Sequence, residues 1–181
     1  MPGNRERSLR AAVDLLATGG MRALTHGRVD ARAGLPKGST SNHFRTRAAL
    51  LDGVLAWMLQ QQLDEVRPSR AVETADDLVD LLVELFTHMT GPDRAVTSAR
   101  MLLIVESVHD ADLRATMTTG RQTVIEALGP ALERLGATDP ALAGRTLAAC
   151  MQGLFLAELA GIEKVEPRPV IDLVVRAAVG V

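Results

Sequence analysis

Tyrosine is absent from this chain, and other aromatic residues are few: Trp57, Phe44, Phe86 and Phe155 are all it has. A core without many large rings has to be built from Leu, Val, Ala and Met, a set that favours helices over strands. Cysteine is almost absent too. Cys150 stands alone, which excludes an internal disulfide framework and fits a reducing cytoplasm, the expected location. No long hydrophobic run occurs. The longest uncharged apolar stretch, Thr146 to Ala157, falls well short of the ~20 residues a membrane span needs. The polar start, Met1-Pro-Gly-Asn-Arg-Glu-Arg, is followed by no apolar segment of a secretory signal, so no membrane partner is expected.

Groups that carry reactions are sparse as well. The four histidines, His26, His43, His88 and His109, lack metal-ligand spacing, so neither a metal nor a cofactor is expected. Cys150 lies in the most apolar segment and reads as a buried structural thiol. Pro36-Lys37-Gly38-Ser39 has the lysine and serine of a phosphate loop without its glycine spacing. These absences argue against an enzyme.

Charge, by contrast, is present and unevenly placed. The net charge of −2 divides into +6 over residues 1–50 and −8 over residues 51–181. A basic head on an acidic body points the head at a polyanion. Within that head, Leu24 to Phe44 reads as two short helices and a tight turn. Thr25 is an N-cap for a helix from His26 to Ala33, which Gly34 ends. Pro36 suits the start of a second helix, Lys37 to His43. That helix is poor in apolar residues; Lys, Ser, Thr, Asn and His are donors and acceptors that reach phosphates and base edges in a major groove.

This stretch resembles the helix-turn-helix of the TetR family of transcriptional regulators, and the likeness extends to both sides. Upstream, an amphipathic helix ends in Gly19-Gly20 ahead of Met21-Arg-Ala-Leu-Thr25. Downstream, His43-Phe44-Arg-Thr-Arg-Ala-Ala-Leu-Leu51 is similar to the family's hinge into a long fourth helix. About the first fifty residues match at motif level, and the rest in helix pattern and length. Two residues depart from the family: Ser41 stands where a tyrosine is usual, and Asp30 where a small residue is usual. Asp30 suggests an ion pair in the helix–helix contact.

Along the chain, Leu9, Ala12, Val13 and Leu16 place an apolar stripe on a first helix over Arg5–Thr18. Arg5, Arg7 and Arg10 lie off that stripe, free to approach DNA. Leu24, Val29, Leu35 and Phe44 close a three-helix core. Helix 4 spans about Thr46 to Val66 and stops at Arg67-Pro68. The body then reads as helices over Ala75–Met89, Ala95–Val108 (with Met101, Leu102, Ile104 and Val105 inward), Leu113–Leu135 with a bend at Gly129-Pro130, a helix opened by Asp139-Pro140, and Val170–Val179. The expected fold is all-α with about nine helices: a three-helix DNA-binding domain over residues 1–46, and a helical bundle for ligand binding and dimerisation over 47–181. The last two helices are apolar on more than one face. A second copy of the chain would cover them, giving a homodimer that reads a palindromic operator in double-stranded DNA.

The residues expected at DNA are Lys37, Gly38, Ser39, Ser41, Asn42 and His43 on the recognition helix, with Thr25 and His26 behind them. Asn42 suits adenine and Lys37 guanine, Gly38 allows close approach, and Arg28, Arg45 and Arg47 suit phosphates. The resemblance also implies an effector pocket in the body. Its apolar walls would be Met58, Phe86, Met89, Met101, Met117, Met151 and Phe155, and its polar groups Glu106, His109, Arg121 and Gln122. Such a lining favours a hydrophobic or amphipathic small molecule. The family's mechanism implies a repressor released when that ligand favours a dimer geometry that no longer fits the operator. Two other readings stay open: a helix-turn-helix regulator without a small-molecule effector, and a ligand-binding dimer whose head does not bind DNA.

Overall fold

A computed structural model describes residues 3–66, 72–162 and 164–180, and nine α-helices with no strand make up its regular structure apart from one 3-10 turn. They are α1 (Asn4–Gly19), α2 (His26–Ala33), α3 (Ser39–His43), α4 (Arg47–Val66), α5 (Ala75–Thr90), α6 (Arg94–Glu106), α7 (Ala111–Arg134), α8 (Pro140–Ala160) and α9 (Pro167–Val179). The stop expected at Arg67-Pro68 lies outside the described residues. No helix among them is long and apolar enough to cross a membrane.

Local chemistry sets the boundaries. Thr25 Oγ1 accepts the Arg28 N–H at the start of α2, and Gly34 ends that helix at φ 61°. Thr46 Oγ1 accepts the Ala49 N–H at the start of α4. A capping box of Thr74 and Asp77 opens α5, and Asp139 with Pro140 opens α8. Three expectations shift. The recognition helix begins at Ser39 rather than Lys37, because Gly38 at φ 92° still belongs to the turn. Helix α9 begins three residues earlier than expected, with Pro167 in its first turn, where a missing N–H costs nothing. On α6, Val105 is 66% exposed instead of buried, since the inward face runs Val96, Ala99, Arg100 and Leu103 at helical spacing. Cys150 is half-buried rather than enclosed, and burial pushes its thiol pKa up.

The chain packs as two units, one of Met1–Gln61 with Ala95–Met117, the other of Gln62–Arg94 with Thr118–Val181. In the first, α1, α2 and α3 pack on one another around Leu9, Val13, Leu16, Leu24, Val29 and Phe44, joined by Leu50, Val54 and Met58 of α4 and by Ala99 and Leu103 of α6. Full burial of such a Val or Leu contributes about 1.5–3 kcal/mol. In the second, α5, α8 and α9 pack together around Leu78, Leu82, Phe86, Met89, Leu147, Met151, Phe155, Ile171 and Val175.

Candidate nucleic-acid interface

Each side chain of the five-residue α3 has a direction. Thr40 is fully buried; Ser41, Asn42 and His43 are exposed and Ser39 is half-buried. What holds Thr40 inward is a polar network across three helices. Asp30 of α2, 3% exposed, accepts the Thr40 N–H at 2.8 Å, the Thr40 hydroxyl at 2.5 Å and the Gly38 N–H at 2.7 Å. The Thr40 hydroxyl lies 3.3 Å from that of Ser8 on α1. Burial raises the Asp30 pKa, but the hydrogen bonds from Thr40 and Gly38 outweigh it and hold the carboxyl below its ordinary value. The expected ion pair at Asp30 is therefore replaced by a carboxylate held on backbone N–H groups and a hydroxyl.

Other polar groups of this unit are also committed to holding it together. His26 Nε2–H donates to the Phe44 carbonyl at 2.6 Å, tying the start of α2 to the end of α3. Arg47 donates to the Leu24 carbonyl at 3.2 Å and to the Met21 carbonyl at 2.5 Å, so it clamps α4 to the turn before α2. Ser41 donates its hydroxyl back to the Gly38 carbonyl at 2.9 Å. The arginines expected to be free on α1 are occupied as well. Arg7 caps the carbonyls of Ala33 and Gly34, Arg5 lies over the Phe44 ring, and Arg10 pairs with Glu6 and lies over Trp57. Phe44 sits close enough to α4 that a Cβ on Gly53 would stand 2.5 Å from its ring.

The acids of this stretch are spent. Glu6 pairs with Arg10 at 3.0 Å, Asp14 pairs with Arg32 at 3.2 Å, and Asp30 is buried. Arg28, Lys37 and Arg45 are exposed, and none of them has an acidic partner among the described residues. Beside them stand the outward Asn42 and His43, the latter edge-on to Phe44. Thr25 is exposed at its cap, and Gly38 serves chiefly to admit a turn conformation that side chains resist. The arrangement offers unneutralised cations around a short polar helix, the requirement for phosphate contact with base reading.

Sequence reasoning missed Asp30, Thr40 and Ser8 as the frame of this site. The signal was a helix with glycine at its N-cap, which needs an acceptor from elsewhere.

The residues expected at an effector are divided between the two units. Met58 is buried in the first core, Met101 and Met117 are half-buried, and Glu106 and His109 are exposed. In the second unit, Phe86, Met89, Met151 and Phe155 are buried together, with the two rings stacked at 5.8 Å. Arg121 is exposed and donates to Gln152 at 2.8 Å, and Gln122 donates to Glu126 at 3.0 Å.

Comparison with known proteins agrees with this geometry. Residues 9–54 match the family model described as bacterial regulatory proteins, tetR family. Residues 73–181 match the model described as tetracyclin repressor-like, C-terminal domain. No curated protein matches the sequence. Among solved structures, a TetR-family member from Streptomyces coelicolor A3 is similar at 23% identity and TM-score 0.77, over 98% of this chain and 99% of that one. The multidrug binding protein EbrR, complexed with proflavin, is similar at 24% identity and TM-score 0.64, over 96% and 99%. SmeT, the repressor of the Stenotrophomonas maltophilia multidrug efflux pump SmeDEF, is similar at 19% identity and TM-score 0.71, over 97% and 88%. The chain belongs to the TetR family of bacterial regulatory proteins, which are DNA-binding transcription factors rather than enzymes.

Proposed function

We propose that this chain is a ligand-responsive repressor that binds a palindromic operator as a homodimer and is released by a small hydrophobic or amphipathic effector. Residues 1–46 serve as the DNA-binding head, and residues 47–181 carry ligand binding and dimerisation. The observation that carries the reading is the outward polar face of α3, flanked by Arg28, Lys37 and Arg45, in a stretch whose acids are all engaged. Asn42, His43, Ser39 and Lys37 read bases, and Arg28 and Arg45 hold phosphates.

The faces of α8 and α9 support dimerisation. Each buries one side in its own unit through Leu147, Met151 and Phe155 or Ile171, Val175 and Val179. The other side remains apolar and exposed: Leu142 at 55%, Leu156 at 52% and Leu173 at 70%, with Ala149, Gly153 and Ala177 alongside. A second copy of the same two helices covers these faces. For the effector, the Met- and Phe-rich cluster of Phe86, Met89, Met151 and Phe155 is soft and adaptable. The description of EbrR as a multidrug binding protein favours a small-molecule effector here too.

Selection from random duplex DNA, followed by gel-shift titration at two salt concentrations with scrambled competitor, tests the reading. The expected result is a palindromic site whose complex resists competitor and weakens with salt. Enrichment of no sequence would instead favour a ligand-binding dimer with a silent head, a reading supported by the Ser41 hydroxyl being turned back onto Gly38.

A further inference from the structure

The recognition helix has no side-chain cap of its own. Gly38 occupies its N-cap position, and five residues are too few to hold a helix without help. Glycine is required there by the φ of 92°, so the missing acceptor has to come from another element. It comes from α2, where one Asp30 oxygen takes the Gly38 N–H and the other takes both the N–H and the hydroxyl of Thr40. Thr40 in turn meets Ser8 of α1, and all three side chains are buried. Hydrogen bonds made away from water are costly to leave unmade.

We propose that Asp30 is the positioning residue for DNA reading: it fixes the start of the recognition helix and so sets how well an operator is told from other DNA, without touching DNA itself. The proposal deepens the DNA-binding reading and rests on it. The separation of roles follows from where the groups sit. Ser39, Asn42 and His43 are on the helix that Asp30 holds, and base reading tolerates little displacement. Arg28 and Arg45 lie outside that helix, on long flexible side chains, and phosphate contact depends less on its start.

The test compares wild-type protein with D30N and T40V. Asparagine places an amino group against an N–H donor, and valine replaces the hydroxyl with a methyl group while keeping the Thr40 backbone N–H. Affinity is measured for an operator selected from random DNA and for a scrambled duplex. The amide shifts and hydrogen exchange of Gly38 and Thr40 are followed by NMR in DNA-free protein. D30N is expected to move both amides, speed their exchange and lower operator affinity about ten- to a hundredfold, with scrambled-duplex affinity changed by less than about threefold. T40V is expected to lower the operator-to-scrambled ratio by about three- to tenfold, and it carries the test should D30N fail to fold. Folded variants that keep the wild-type ratio, or lose affinity equally for both duplexes, overturn the proposal and leave Asp30 a role in stability alone. Failure of wild-type protein to enrich any sequence overturns the DNA reading and this proposal with it, an outcome distinct from unchanged behaviour of the variants.

Discussion

Arg45 and Arg47 lie two residues apart and are both exposed, yet they are not equivalent. Arg47 is hydrogen-bonded to two backbone carbonyls, and Arg45 has no such partner among the described residues. Arg45→Ala is therefore expected to lower DNA affinity at every sequence and reduce the slope of log K against log salt by about 0.9 for one phosphate contact. Its unfolding temperature should stay at the wild-type value. Arg47→Ala should lower both, and a thermal melt beside a salt titration separates the two. Glycines give a second contrast. Gly38→Ala forces a side chain into the left-handed region, at about 1–3 kcal/mol of stability. Gly53→Ala drives a Cβ into the Phe44 ring, with a similar overpacking cost of about 1–3 kcal/mol in urea unfolding. Asp30 adds a pH dependence. Its folded pKa is lowered, so its stabilisation is fully present above the unfolded value of about 3.9 and disappears as pH falls through the lower folded value. The stability difference between wild type and D30N should hold steady from about pH 7 to 5 and shrink below about pH 4.

Among the elements, α3 and α9 show opposite dependence on their surroundings. Helix α3 is five residues held by Asp30, by the Thr40–Ser8 contact and by the His26 bond to Phe44. Helix α9 has a buried edge of Ile171, Val175 and Val179 packed on α5 and α8. Its ion pairs, Arg168 with Asp80 and Arg176 with Asp76 and Asp172, are exposed and contribute little beside that packing. Ile171→Ala should therefore destabilise by about 2–5 kcal/mol in denaturant unfolding, whereas Asp76→Ala should change little. Turn residues located α3 and an apolar run located α9, but neither gave the first residue of its helix. The start of α3 depended on the φ of Gly38, and that of α9 on Pro167 being harmless in a first turn.

For the whole molecule, the proposed homodimer rests on the exposed Leu156 and Leu173. Both are more than half exposed, so a glutamate at either leaves the fold of the single chain unharmed. Leu156→Glu and Leu173→Glu should weaken dimerisation by about two orders of magnitude or more, the consequence of an unpaired charge buried at an interface. Light scattering with size-exclusion chromatography would read the loss. A monomeric but folded variant should also lose operator binding, because one short recognition helix makes too few base contacts. A dimer that survives both changes would move the interface elsewhere.

The sequence by itself determined the helical class, the helix-turn-helix and its family, and the inward residues Leu9, Val29 and Phe44. Those features rest on local spacing, on caps such as Thr25 and Asp139, and on glycine and proline at turns. Only the tertiary structure decided which polar residues are free to act. Arg7 and Arg47 read in sequence as available charges and Asp30 as half of an ion pair. Folding ties the two arginines to carbonyls distant along the chain and Asp30 to the N–H groups of Gly38 and Thr40. Val105 lies outside and Cys150 only half inside for a related reason, since an apolar residue is inside only where another element covers it. Local pattern specifies the elements; the use of each charged or apolar side chain depends on what long-range packing brings beside it.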